Sequence, residues 1–275
     1  MKKADLFRST ALLQCLALLA PVRSAAEPAQ PLTDRFSVSL GTFLLETSTR
    51  IRVDGSTGGG TEIDGERDLG LRDSDRFRID AYWRFRERHK VRLMYFDTKH
   101  SAGQTIDEDL QFGDTTFPID ATVDASLETR VGELAYEYAF LRRDDYEVTG
   151  SIGVHNLRFA LDLSASQNAS GQTLALERVA SAEGPLPVIG VRGLWRLSDR
   201  FYLDGQAQFF RLSFGPYSGR LEDYTASIVW MPFRHVGFGV GYNGFVTRLE
   251  VDANRFDGDL RWRYGGARIF ATASF

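Results

Sequence analysis

Alternation with a period of two residues constrains this chain more than any other feature. From Arg76 to Arg86 it runs unbroken: Phe77, Ile79, Ala81, Trp83 and Phe85 share one face, and Arg76, Arg78, Asp80, Tyr82, Arg84 and Arg86 share the other. Successive side chains on a β-strand point to opposite faces, so the pattern demands an extended segment with one apolar and one charged surface. It recurs at about 35–54, 74–87, 89–101, 122–141, 145–165, 185–197, 200–213, 218–231, 234–252 and 257–275, ten segments in all. Helical periodicity is sustained nowhere after residue 26.

A soluble sandwich would satisfy any one of these segments, with the apolar face in its core. Length and connections separate the alternatives. Strands of soluble domains average about five or six residues, whereas these reach about 14 or more, beyond the roughly 9–11 with which a tilted strand crosses a bilayer. The connections Arg86 to Lys90, Leu141 to Tyr146, Leu197 to Arg200 and Pro232 to His235 are tight and charged, as hairpin turns are. Between them lie Gly- and Asp-rich stretches of about 20 residues at 55–73, 102–121 and 166–184, and short ones near Gly215-Pro216 and Asn254-Arg255. Short turns at one end and longer loops at the other are the asymmetry of a membrane barrel. The expected fold is all-β: a closed, antiparallel, up-and-down transmembrane β-barrel of ten strands. Eight or twelve remain compatible with boundaries that one sequence places to within a few residues. Closure leaves no strand edge unpaired in hydrocarbon.

Composition fits only once the two faces are separated. The chain is 43% hydrophobic and 25% charged, figures of an ordinary soluble domain, and after residue 26 no stretch approaches the roughly 18 apolar residues of a spanning helix. Residues 1–26 read as a secretory signal peptide: Lys2, Lys3 and Arg8 open it, Ala11 to Val22 form a short apolar core, and Ser24-Ala25-Ala26 offer a small-residue cleavage site. A single barrel domain is expected over 27–275. Losing four basic residues (Lys2, Lys3, Arg8, Arg23) and one acidic residue (Asp5) takes the formal charge from −4 to −7 and removes the one cysteine, Cys15. An acidic exported chain argues against nucleic acid as a partner.

The last segment alternates Ile269, Ala271, Ala273 and Phe275. It resembles the terminal signal, ending on phenylalanine, that bacterial outer-membrane proteins present to their barrel-assembly machinery. The chain is broadly similar to the small barrels of the outer-membrane protein A and outer-membrane protein W types, departing from them at Ala273, where many members carry an aromatic residue, and in its strand count. The resemblance implies the outer membrane of a Gram-negative bacterium, contact with outer-membrane lipid and lipopolysaccharide, assembly through Phe275, and a monomer. Around Gly265-Gly266 the alternation is expected to shift at a β-bulge, with Leu260, Trp262 and Tyr264 facing lipid before it and Ile269 onward after it.

If the apolar faces meet lipid, Arg76, Arg78, Asp80, Arg84, Glu133, Glu137, Arg192, Asp204, Arg261 and Arg263 are expected to line the lumen. Opposite charges there would form a salt-bridge network filling a narrow barrel; the alternative is a small pore favouring anions. Gly237, Gly239 and Gly241 form an inward stripe that would make room for facing arginines or ease curvature. No catalytic residue is expected. Histidines occur only at 89, 100, 155 and 235, and Ser151 and His155 lie about 13 Å apart along a strand. The Asp-x-His pair of barrel proteases is missing, as are Gly-x-Ser-x-Gly and His-Glu-x-x-His. The acidic loops (Asp64, Glu66, Asp68, Asp73 and Asp75; Asp107, Glu108, Asp109, Asp114 and Asp120) read as solvated charge without the spacing of a calcium loop, and no metal or cofactor is expected. The functional expectation is therefore non-enzymatic: envelope integrity or narrow passive solute passage, with surface binding or adhesion through long extracellular loops as the alternative and a lipid-modifying hydrolase as a distant one.

Overall fold

The computed structural model describes residues 30–54, 59–71, 73–112, 114–169, 172–214, 217–253 and 256–275. The expected signal peptide and most of the Gly55–Gly60 loop tip lie outside the described residues. The wall consists of β1 (Phe36–Val53), β3 (Asp73–Arg86), β4 (His89–Thr105), β7 (Thr122–Arg142), β8 (Tyr146–Ala169), β9 (Gln172–Arg196), β10 (Phe201–Phe214), β11 (Tyr217–Trp230), β12 (Val236–Ala253) and β13 (Phe256–Ser274). Each pairs antiparallel with its neighbour in chain order, and β13 returns to β1 in continuous register from Ser37↔Ser274 to Val53↔Gly258. The two-residue β2 (Ile63–Asp64) only flanks β1, so the closed wall has ten strands.

Turns at 87–88, 143–145, 197–200 and 231–235 lie at the end that carries both termini, the periplasmic end of such a barrel. At the opposite end the expectation of three long loops needs correction. β8 and β9, of 24 and 25 residues, continue as one hairpin to Ala169 and Gln172, where a loop over 166–184 was expected. Pro185 and Pro187 make that stretch look like loop. They are tolerated because β10 leaves β9 at Phe209↔Ile189, so β9 is an edge strand beyond Ile189, and an edge is where a residue without an N–H fits. The other two loops are structured. One carries β2 and a single helical turn, α1 (Gly65–Asp68); the other carries the hairpin β5 (Leu110–Phe112) and β6 (Thr115–Phe117).

Around the lower wall the apolar face points outward. Trp83, Leu93, Leu134, Tyr138, Phe140, Ile152, Ile189, Trp195, Phe201, Ile228, Trp230, Phe238, Val240 and Ile269 are all exposed, with aromatic rings concentrated near the short turns. Phe36 stacks on Trp83 at 6.3 Å, and Trp83 in turn contacts Phe85 at 5.8 Å. An apolar belt ending in an aromatic girdle is the lipid contact of an outer-membrane barrel.

The alternation of β13 does not shift. Leu260, Trp262, Tyr264, Arg268, Phe270 and Ser274 point inward in one unbroken series, and the pairings with β1 and β12 run through Gly265-Gly266 without a bulge. Register shifts lie instead between Arg84 and Arg86 and between Ala139 and Leu141, beside short turns.

Candidate functional site

Among the described residues the interior collects the buried ionisable side chains, and it changes character along the axis. Near the periplasmic end, Arg84, Lys90, Glu137 and Glu147 are all buried. Glu147 accepts hydrogen bonds from Arg84 Nη1 at 2.6 Å and Lys90 Nζ at 2.5 Å; Glu137 accepts from Arg92 Nε at 2.6 Å and lies 3.3 Å from Lys90 Nζ. Each inward charge arrives on an even or odd position of a strand whose other face meets lipid, which is why the network crosses β3, β4, β7 and β8 without a break. Arg84 also donates to the Asp34 and Glu87 carbonyls, tying the network to the N-terminal segment and the first turn.

The next level mixes ion pairs with amides. Arg78 is bidentate on Asp80, with Nε and Nη2 each at 2.8 Å, and Arg192 Nε donates to Asp204 at 2.8 Å. Arg268 lies 3.8 Å from Asp80 and 4.2 Å over the Phe270 ring. A cavity of about 70 Å³ remains among these groups. Glu133 and His155 are direct cross-strand partners, 3.5 Å apart, and Gln208 joins both, donating to Glu133 at 2.6 Å and meeting His155 Nε2 at 3.1 Å. Asn243 links this level to the one above: its amide donates to Asp223 at 2.7 Å, while its carbonyl accepts from Arg78 at 3.0 Å and from the Tyr264 hydroxyl at 3.1 Å.

Above Asn243 rings and aliphatic side chains dominate the lumen, although Thr98, His100, Thr129 and Thr247 are also buried. Phe43, Phe96, Phe159, Phe245, Trp262 and Tyr264 are buried together with Val131, Leu157 and Leu221. Phe245 stacks on Tyr264 at 5.2 Å, Trp262 meets Tyr264 at 4.9 Å, and Phe159 presents an edge to Trp262 at 5.3 Å. Higher still, Ile63, Leu69, Leu71, Ile106, Leu110, Phe112 and Phe117 from the two structured loops pack on Val123, Leu127, Leu161 and Leu163 of the wall. The loop carboxylates serve that folding: Asp64 caps α1 through Arg67 N at 3.0 Å, Glu66 receives Thr49 N at 2.8 Å, and Asp109 receives Ile119 N at 2.7 Å. These acids are therefore not simply solvated charge. The side chains of Asp73 and Asp75 lie outside the described residues, and among the described residues no acidic or histidine group is arranged to hold a metal ion.

Arg78, Asp80, Arg84, Glu133, Glu137, Arg192 and Asp204 point into the barrel, and Arg76 reaches toward the Phe43 carbonyl at 3.4 Å near the upper level. Arg261 and Arg263 do not join them. With Trp262 and Tyr264 inside, both arginines project outward, as does Arg86 at its turn. The glycine stripe is inward, and one of its three members faces an arginine: Gly241 is the direct cross-strand partner of Arg268, while a Cβ on Gly239 would meet the Phe270 ring and one on Gly237 Met231 Sδ. Lys90, Arg92, Glu147, Gln208, Asn243 and Arg268 complete the interior; their sequence signal is the same alternation, since each occupies a position opposite a lipid-facing neighbour. Phe275 is exposed at the end of the wall, stacked on His235 at 5.0 Å, with its amide donating to the Phe36 carbonyl at 2.8 Å.

No described protein family and no curated protein matches the chain. Among solved structures it is similar to the outer-membrane protease OmpT of Escherichia coli, at 10% identity and a TM-score of 0.59, covering 92% of this chain and 99% of that one. It also aligns with Ail, the attachment invasion locus protein of Yersinia pestis (9% identity, TM-score 0.31, 88% and 97% covered), and with the toluene transporter TodX of Pseudomonas putida (9%, 0.35, 90% and 92%). Scores this low for the last two add nothing to the fold, and an identity of 10% carries fold without activity. Closed pairing, the outward apolar belt and the OmpT-like course of the chain together make this protein a ten-stranded β-barrel of the bacterial outer membrane.

Proposed function

We propose that the protein is a closed, non-conducting barrel with a structural role in the outer membrane, not a passive pore. The observation that carries this reading is the stacked layer of Phe245, Trp262 and Tyr264, with Phe43, Phe96 and Phe159 around it, across the lumen. A solute entering from the periplasm would meet the ion-pair network first and this layer next, and rings packed at about 5 Å leave no water-filled path. The reading is non-catalytic. Among the hydrogen bonds of the described residues no histidine joins a hydroxyl or thiol to an orienting carboxylate: His89 meets Tyr136, His100 meets Thr98 under the packed loops, His155 meets Gln208 and Glu133, and His235 meets the Ser274 carbonyl. Protease activity, named for OmpT, does not pass to this chain on fold alone.

Proteoliposomes in iso-osmotic arabinose test the closed lumen: they should swell no faster than protein-free vesicles, and porin-like swelling would exclude the reading. Deletion in the source bacterium tests the structural role. Uptake of a hydrophobic dye should rise, and unchanged uptake would argue for a different role.

A further inference from the structure

On the outer face, Arg211, Arg220, Arg248, Arg261 and Arg50 are successive direct partners across five adjacent strands, β10 to β13 and then β1. All five are exposed or half-exposed. Like charges directly opposite on neighbouring strands destabilise a sheet, and here four such pairings follow one another over roughly 19 Å at the ordinary interstrand spacing. Glu222, Asp259 and Asp64 each approach one arginine from off the row, Asp259 at 3.2 Å from Arg261 and Asp64 at 3.8 Å from Arg50. No acid stands within the row itself. The opposite wall shows the contrast: there the cross-strand pair Arg130 and Arg158 is bracketed in register by Asp97 and Glu183, at 3.5 and 3.7 Å.

The position of the row selects its counter-ion. On β10, Arg211 is the next outward position after lipid-facing Phe209. On β11 one outward position separates Arg220 from Tyr224, on β12 two separate Arg248 from Tyr242, and on β13 three separate Arg261 from Ile269. Over these four strands the climb is what a row perpendicular to tilted strands makes against a flat membrane, and on β1 it stops, with two outward positions between Arg50 and Leu44. The row thus begins at the lipid surface and rises outward from it. Guanidinium groups bind phosphate through paired N–H donors. We propose that this row is a binding site for the phosphorylated headgroup of an outer-leaflet glycolipid, lipopolysaccharide, with phosphates met at the acyl-chain boundary and again on the core sugars. A soluble sulfated polysaccharide shares the charge but has no need of a row anchored at the lipid edge.

Titration of the full-length barrel in phosphatidylcholine nanodiscs with rough lipopolysaccharide tests the site. Arg211→Gln, Arg220→Gln and Arg248→Gln combined should weaken binding at least about tenfold, while Arg130→Gln with Arg158→Gln should change it by less than about twofold. Equal weakening by both sets, or none by the first, would overturn the proposal. Heparin bound by the wild type as tightly as lipopolysaccharide would assign the row to a soluble polyanion and overturn it as well. The wild type alone supplies a test independent of any variant: enzymatic removal of the lipid phosphates should weaken binding to a similar degree, and unchanged affinity would contradict the assignment. None of these outcomes depends on whether the lumen conducts.

Discussion

The periplasmic half of the barrel holds its shape with charge and the extracellular half with rings. Below Asn243, buried arginines, lysine and carboxylates satisfy one another across strands; above it, Phe43, Phe96, Phe245, Trp262 and Tyr264 pack as a soluble core would. The outer surface inverts in the same place, from Trp, Phe, Ile and Leu against lipid to Arg50, Arg220, Arg248, Arg261 and Arg263 toward the outside. One chain thus builds an inside-out protein where it crosses the bilayer and an ordinary one where it leaves it. Polarity follows the medium on each side of the wall and not the wall itself.

The largest effect should come from stranding charge in the lower half. Glu147→Ala leaves Arg84 and Lys90 buried without their carboxylate and should cost about 3–5 kcal/mol, read as a lower urea midpoint for the loss of heat-modifiable migration on a detergent gel. Replacing Arg84, Lys90 and Glu147 together with apolar residues of similar volume should recover most of that loss; a triple variant as unstable as the single one would break the comparison. In the upper half Trp262→Ala should cost a similar or slightly smaller amount, about 3–5 kcal/mol, through the cavity it leaves. A loss below about 1 kcal/mol would mean that the rings are not packed as described. Asn243→Leu tests the boundary: with Asp223, Arg78 and Tyr264 each losing a partner, a cost of about 1–3 kcal/mol is expected. The smallest effect belongs to the rim. Glu66→Ala removes the two hydrogen bonds that hold α1 to Thr49 and should cost about 1 kcal/mol, seen as faster proteolysis of the 54–72 loop without a change in the midpoint of the barrel.

The wall was legible because a period of two does not depend on knowing which side is wet. Most strand positions, though not the β8–β9 extension over 166–184, and the inward direction of Arg78, Asp80, Arg84, Glu133, Glu137, Arg192 and Asp204 could be read from alternation alone. Trp262 and Tyr264 misled because aromatic residues mark the lipid face lower down; beyond the bilayer the same residue types mark the core, and the apparent phase shift at Gly265-Gly266 was that inversion. The loop core was hidden for another reason. Ile63, Leu69, Leu71, Ile106 and Leu110 are isolated among acidic residues, and only the fold of α1, β5 and β6 brings them into one cluster. The cross-strand arginine row needs register, which no single strand reveals.

Planar-bilayer recording tests the closed lumen most directly. Wild-type protein inserted at verified density should give no stepwise conductance in either molar potassium chloride or a salt of a larger anion, because the ring layer leaves no continuous water. Reproducible steps of constant size in the wild type, preferring anions over cations, would show an open arginine-lined path and contradict the account.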